Sequence, residues 1–110
     1  MKKKIKLFLY EWEVLCTVSK QELEVNGKEC KGCVHYSDRK IYVYKNLSLE
    51  DKFKVLRHEL THAVLYETQI ELKEHYTEED MCELMAKYGP FIVEKANELL
   101  CDELSKWGDE

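Results

Sequence analysis

The stretch VLRHELTHAVLY, residues 55–66, sets His58 and His62 four positions apart, with Glu59 directly after the first histidine. On an α-helix, residues i and i+4 lie on one face, one turn apart, so both imidazoles can reach a single ion. Zn²⁺ accepts nitrogen ligands at ~2.0–2.1 Å and prefers tetrahedral geometry. Glu59 is rotated by about 100° from His58, beside the metal, where a carboxylate can take a proton from a water that the metal activates.

The residues around this H-E-x-x-H motif predict an amphipathic helix independently of the two histidines. Ser48 can cap the helix, with Asp51 three positions on in a capping-box arrangement. Apolar residues then recur at helical spacing up to about Glu67. They are Phe53, Leu56, Leu60, Ala63 and Val64. The alternative is an exposed helix with two surface histidines, and this half-buried pattern argues against it.

The rest of the chain predicts an α+β fold in a single domain of 110 residues. Residues 1–46 are mainly strand-like and indicate a small antiparallel sheet with meander connections. Residues 48–107 are mainly helical. Thr77 caps a second helix, the sequence YGP at 88–90 ends or kinks it, and a third helix runs from about residue 91 to 106. We therefore expect a small sheet followed by three helices, the first of which carries the motif.

A catalytic zinc needs a third protein ligand, and the second predicted helix is its natural source because it can pack against the motif helix. Glu79 and Glu83 are four positions apart and so share a face. Glu79 lies in the first turn, where the helix dipole favours negative charge. We expect Glu79 to bind the metal and Glu83 to accept a hydrogen bond from a ligand histidine. The alternative for both is a solvated acidic face.

The motif stretch, together with YTEEDMCELMAKYG at 76–89, resembles the small zincin-like metallopeptidases of phages and mobile elements, which are related to the ImmA/IrrE family. The resemblance covers about residues 34–95. It implies a minimal zincin-like fold, a zinc ion held by His58, His62 and Glu79, and Glu59 as general base. That family usually has Ala-Asn where this chain has Cys82-Glu83, so Glu79 and Glu83 stay open as alternatives for the third ligand.

Composition excludes several other classes. With 17 basic against 22 acidic residues the net charge is −5, which argues against nucleic-acid binding. No stretch approaches the ~18 apolar residues that would span a bilayer. The apolar run after the N-terminal lysines is too short for a signal peptide. We therefore expect a cytoplasmic protein that does not associate with membranes.

The sequence CKGC at 30–33 has the spacing of a metal knuckle or a redox motif. A structural zinc site needs two further ligands, usually a second pair, and only His35 is near. A redox motif would need Cys30 or Cys33 to have a depressed thiol pKa. A turn with incidental thiols is the simpler interpretation. His75 and Tyr76 are candidates for stabilising a tetrahedral intermediate, although an exposed loop is the simpler interpretation there as well.

These observations predict a zinc-dependent metallopeptidase that hydrolyses a peptide bond in a protein or peptide substrate, with Zn²⁺ as cofactor and Glu59 as general base. An edge strand, for which KIYVYK at 40–45 is a candidate, would align the substrate by strand addition. By resemblance, the substrate is expected to be a regulatory protein. The alternative is a zincin-fold binding or regulatory module without peptidase activity. The sequence does not indicate the oligomeric state.

Overall fold

The computed structural model describes residues 2–69 and 77–101, and side chains up to residue 99. These ranges contain six strands and two helices, and all strands precede both helices. The strands are β1 (Lys2–Leu7), β2 (Tyr10–Thr17), β3 (Glu24–Val25), β4 (Lys28–Glu29), β5 (Gly32–His35) and β6 (Lys40–Tyr44). The helices are α1 (Leu49–Thr68) and α2 (Glu78–Cys101).

Four strands form one sheet in the order β1-β2-β6-β5, while β3 and β4 form a separate hairpin closed by Asn26 and Gly27. β1 pairs with β2 and β5 with β6 in antiparallel fashion, but β2 and β6 are parallel. The prediction of an antiparallel sheet with meander connections is therefore wrong. A parallel pair needs a crossover of a dozen or more residues, and residues 18–39, which include the hairpin and β5, provide it.

The core lies between one face of the sheet and the two helices. Alternating residues of β1, β2 and β6 point into it, as the two-residue period of a strand requires. α1 and α2 each contribute one apolar stripe. The buried cluster comprises Ile5, Leu7, Trp12, Val14, Ile41, Val43, Leu56, Leu60, Ala63, Val64, Ile92, Ala96 and Leu99.

The prediction of three helices is also wrong, because α2 continues through Gly89 and Pro90. A proline inside a helix removes one backbone hydrogen bond and normally ends or kinks the helix. Here the residues on both sides of Pro90 pack on the same partner: the Phe8 ring lies 6.2 Å from the Tyr88 ring and 5.0 Å from the Phe91 ring. This tertiary packing favours helical continuity over the local breaking signal. The expected minimal zincin-like arrangement, a small antiparallel sheet followed by three helices, is thus replaced by a mixed sheet and two described helices.

Both helices begin where the sequence predicts, because a capping side chain next to each start determines it. The Ser48 hydroxyl accepts a hydrogen bond of 3.2 Å from the Asp51 backbone N–H, and α1 begins at the next residue. At α2, Asp80 N–H donates to the Thr77 hydroxyl at 3.1 Å and Thr77 N–H donates back to the Asp80 carboxylate at 3.1 Å. Both predicted caps are therefore confirmed. The predicted helix end near residue 106 lies outside the described residues.

The C-terminal end of α1 is tied to the sheet through Glu67, whose side chain is 3% exposed. Trp12 donates its indole N–H to Glu67 Oε1 at 2.9 Å, and Arg39 donates its Nε–H to the same oxygen at 2.6 Å. Because the carboxylate has both a neutral and a charged donor, its burial is compensated. This anchor sets the position of α1 along the sheet, and hence the position of the motif.

Candidate metal centre

His58 and His62 project side by side from the solvent-facing surface of α1. Their ring centroids are 5.0 Å apart and their planes make an angle of 71°. Both residues are exposed. The pKa of His62 lies below its ordinary value, first because the imidazole is partly desolvated and then because His58 is close. A lowered pKa keeps the ring neutral and its lone pair available at neutral pH.

This spacing suits one shared ion. Two imidazole nitrogens, each ~2.0–2.1 Å from a tetrahedral ion, place their ring centres about 5 Å apart. The observed 5.0 Å between the rings of His58 and His62 matches that value without any rearrangement of the helix. The donor set is also right, because imidazole is a preferred ligand of zinc. The two histidines therefore fit half of a zinc site.

Glu59 is buried, with 7% of its surface exposed, although it lies between two exposed histidines in the motif. No described residue gives its carboxylate a hydrogen bond or an ion pair. Burial raises the pKa of Glu59, and the nearby His58 lowers it to a smaller extent. A buried carboxyl without a partner is costly and needs an explanation. A raised pKa in a cleft is typical of a catalytic acid or base.

Gly32, the first residue of β5, explains how Glu59 comes to be buried. A Cβ atom at position 32 would lie 2.5 Å from Val55 Cγ1, 3.0 Å from Glu59 Cγ and 3.3 Å from Glu59 Oε1. Only a residue without a side chain lets β5 approach α1 this closely. This role of Gly32 was not predicted from the sequence. The available signal was a glycine at the start of a strand, which often marks a close backbone approach.

A cleft of about 400 Å³ opens beside Glu59 and His58. Gly32 and the two residues before it, Cys30 and Lys31, form one wall. The first half of α1 forms the other wall, with Lys54 at its outer end. The proposed base and one proposed metal ligand therefore share a cavity with the beginning of β5.

β5 is an outer strand of the sheet, since it pairs on one side with β6 and has no other strand neighbour among the described residues. β6, which contains most of the KIYVYK stretch, lies between β2 and β5. The expectation that KIYVYK offers a free edge is therefore wrong. The strand whose edge borders the motif is β5.

Tyr36 and Tyr66 lie past the other end of the motif. Tyr66 follows His62 by one turn of α1, and its ring centroid is 5.0 Å from that of Tyr36, directly after β5. Burial, and then the negative charge of Glu59, raise the pKa of Tyr36. Tyr36 is thus a neutral phenol and a hydrogen-bond donor near the carboxylate. The donors expected at this role, His75 and Tyr76, lie outside the described residues.

The described part of the chain does not bring Glu79 or Glu83 to the histidines. Both glutamates are exposed on α2. Within residues 2–69 and 77–101, no group of three or more His, Cys, Asp or Glu side chains could hold a metal ion. Glu79 as third ligand and Glu83 as hydrogen-bond acceptor therefore stay predictions.

The path of α2 accounts for this separation. Phe8, in the turn after β1, contacts Tyr88, and Lys3 Nζ lies 3.4 Å from the Glu98 carbonyl oxygen, so α2 follows β1 in the opposite direction. Residues before Tyr88 therefore continue past the end of the sheet. At ~1.5 Å per residue, Glu79 lies about 13 Å beyond Tyr88 along the helix axis.

Four residues that follow the motif in the sequence also carry side chains of the types that bind zinc: Glu67, Glu71, Glu74 and His75. Glu67 is occupied by Trp12 and Arg39, which excludes it as a metal ligand in this arrangement. Glu71, Glu74 and His75 lie outside the described residues. Cys33 is buried, and burial raises the pKa of its thiol, with smaller contributions from Glu59 and Cys30. A redox motif needs the opposite shift, so Cys33 does not fit that alternative.

Comparison with protein-family models, with curated proteins and with solved structures finds no match for this chain. The resemblance to zincin-like metallopeptidases therefore stays a prediction that depends on the motif. In the described ranges, neither helix has the length and apolar character needed to cross a bilayer.

Proposed function

We propose that this protein is a zinc-dependent metallopeptidase that hydrolyses a peptide bond in a protein or peptide substrate. The observation that carries the proposal is the buried carboxylate of Glu59, which has no hydrogen-bond or ionic partner among the described residues and lies beside two histidine rings 5.0 Å apart. A helix that served only as scaffold would gain stability from an apolar residue at position 59. A buried acid without a described partner costs stability, and a role in proton transfer explains why this position has one.

His58 and His62 would hold the metal, and zinc, when bound, supplies Lewis-acid activation of a water and of the substrate carbonyl. The described residues near the two histidines offer no third protein ligand. Glu79 remains the ligand that the sequence and the family resemblance favour, and Glu83 the alternative.

Glu59 would act as the general base. Its carboxylate takes a proton from the attacking water and delivers it to the leaving amine, so that it returns to its starting state. The pKa of Glu59 is raised by burial, which moves it toward the range in which a group can both accept and release a proton near neutrality. Gly32 leaves no side chain between β5 and this carboxylate, so a peptide bound along β5 would lie close to it.

The edge of β5 would position the substrate. An extended peptide can add to an exposed strand edge through main-chain hydrogen bonds, whatever its side chains are. Tyr36, directly after β5, would donate a hydrogen bond to the substrate, since its phenol stays protonated at neutral pH. The substrate is proposed to be a regulatory protein, by resemblance to the phage and mobile-element family, and the site of action the cytoplasm.

A binding or regulatory module without peptidase activity is the second candidate. The observation that favours it is the lack of a third ligand among the described residues close to His58 and His62. A two-histidine site binds zinc weakly and would not sustain turnover. The peptidase and the binding module differ in the role of Glu59, because only the peptidase requires a proton acceptor at this position.

The deciding experiment combines metal content with turnover. Zinc should bind at one equivalent to the wild type and be lost in His58→Ala and His62→Ala, whereas the control His35→Ala should retain it. Glu59→Gln should retain zinc and lose ~10²–10⁴-fold in cleavage of a denatured protein or an unstructured peptide library. Glu94→Gln, an exposed change on α2, is its control. Equal cleavage by wild type and Glu59→Gln would refute the role of the base. Zinc binding without any cleavage would favour the module.

A further inference from the structure

The cleft beside Glu59 has two lysines at its rim, Lys31 from the β4–β5 connection and Lys54 from α1. The two residues come from separate parts of the chain, on the two walls of one cavity. Lys54 precedes His58 by four residues and so shares its face of α1. Among the described residues, Glu59 is the only acidic one that lines the cleft.

No described residue forms an ion pair with Lys31 or Lys54. Glu59 also lines the cleft, and it forms no ion pair with either lysine. Within the part of the chain that the structure describes, two positive charges without an ionic partner therefore line this cavity, although the net charge of the chain is −5. Both side chains are exposed and free to meet a ligand.

We infer that this cleft takes an acidic side chain of the substrate, so that the protein selects peptides with Asp or Glu close to the scissile bond. The inference deepens the proposed peptidase function and rests on it. Gly32 follows Lys31 on the β5 wall, and because it has no side chain, no side chain at this position separates a peptide along the strand from Glu59 on the α1 wall.

The spacing of Lys54 and His58 along α1, together with the reach of the lysine side chain, matches the length of two to three residues of an extended peptide. Lys54 lies one helical turn, ~5.4 Å, from His58, and its side chain extends further toward the N-terminus of α1. An extended peptide advances ~3.3 Å per residue. A carboxylate two to three residues from the scissile bond therefore reaches Lys54 while the bond itself lies beside His58 and Glu59. Lys31, on the opposite wall, can contact the same carboxylate or the next one.

The test uses synthetic peptide libraries in which one position is fixed as Glu, Gln or Lys and the neighbouring positions are randomised. Binding is measured with the Glu59→Gln protein, so that the measurement does not depend on turnover. Cleavage is measured separately with the wild type, with products identified by mass spectrometry. The Glu library should be bound about tenfold more tightly than the Gln library, which corresponds to about 1.4 kcal/mol shared by two solvent-exposed charge pairs.

The variant that decides is Lys31→Glu combined with Lys54→Glu, which should reverse the preference from the Glu library to the Lys library. Lys87→Glu, an exposed change on α2, is the control and should leave the preference unchanged. Equal binding of the Glu and Gln libraries, or binding of neither, would overturn the inference. A double variant that still prefers the Glu library would overturn it as well. Selective binding without cleavage would support acidic recognition and refute the peptidase. Cleavage without an acidic preference would support the peptidase and refute acidic recognition.

Discussion

Replacing Gly32 by alanine should destabilise the fold and expose the carboxylate of Glu59 to water. The added Cβ would lie 2.5 Å from Val55 Cγ1, where van der Waals contacts need about 3.5–4.0 Å. Val55 is β-branched and sits on a helix, so its side chain has essentially one rotamer and cannot turn away. β5 and α1 must therefore move apart by roughly 1 Å. Overpacking of this kind costs about 1–3 kcal/mol.

The assay is urea unfolding of the metal-free protein followed by Trp12 fluorescence, together with a thermal scan. A loss of about 2 kcal/mol should lower the melting temperature by roughly 8–16 °C. The second readout is the pKa of Glu59, measured by carboxyl NMR. Because the wider gap admits water to the carboxylate, the pKa should fall back toward its ordinary value of 4.5.

Gly89→Ala is the matched control, because among the described residues the atoms nearest to its added Cβ all belong to Met85, with Cε at 3.1 Å and Cβ and Sδ at 3.8 Å. Met85 is 55% exposed and can swing aside, while alanine improves helix propensity by up to ~1 kcal/mol. The control should be neutral or stabilised. A Gly32→Ala protein as stable as wild type, with the pKa of Glu59 still raised, would refute the close approach of β5 to the motif.

Two further changes test the ion-pair anchor and the linkage between Glu59 and stability. Glu67→Ala leaves the buried Trp12 indole N–H without its acceptor, while the partly exposed Arg39 can turn to water, and it should cost about 1–3 kcal/mol in urea unfolding. Glu98→Ala, which removes only the surface pair with Lys95, should change stability by less than ~0.5 kcal/mol. For Glu59, a folded-state pKa above 4.5 means that the folded protein binds the proton more tightly, so stability falls as pH rises from 4.5 through the folded pKa. Glu59→Gln should therefore gain stability over wild type at pH 7 but not at pH 4, without metal; an equal difference at both pH values would contradict the raised pKa.

Features that depend on neighbours a few residues away could be predicted from the sequence. The pairing of His58 with His62 follows from the 3.6-residue helical period alone. The two helix starts follow from Ser48 and Thr77, whose hydroxyls bond to backbone groups three residues on. In each case a single turn of chain contains both partners, so no knowledge of the fold is needed.

The errors arose where a local signal competed with distant contacts. Pro90 predicted a break, yet α2 continues because Tyr88 and Phe91 both pack on Phe8, some eighty residues earlier in the chain. Strand periodicity identified β2 and β6 but carried no information about their relative direction, which depends on the crossover between them. The alternation of side chains is the same in parallel and antiparallel strands.

The sequence by itself determined the motif helix, the side-by-side histidines and the resemblance of residues 58–62 to the H-E-x-x-H motif, because these depend on helical geometry over one or two turns. Only the tertiary structure decided that Glu59 is buried, that Gly32 permits this, and that Lys31 and Lys54 face one cleft. These relations join residues more than twenty positions apart on different elements. Their distances are set by how β5 packs on α1, and packing depends on every residue of the core at once.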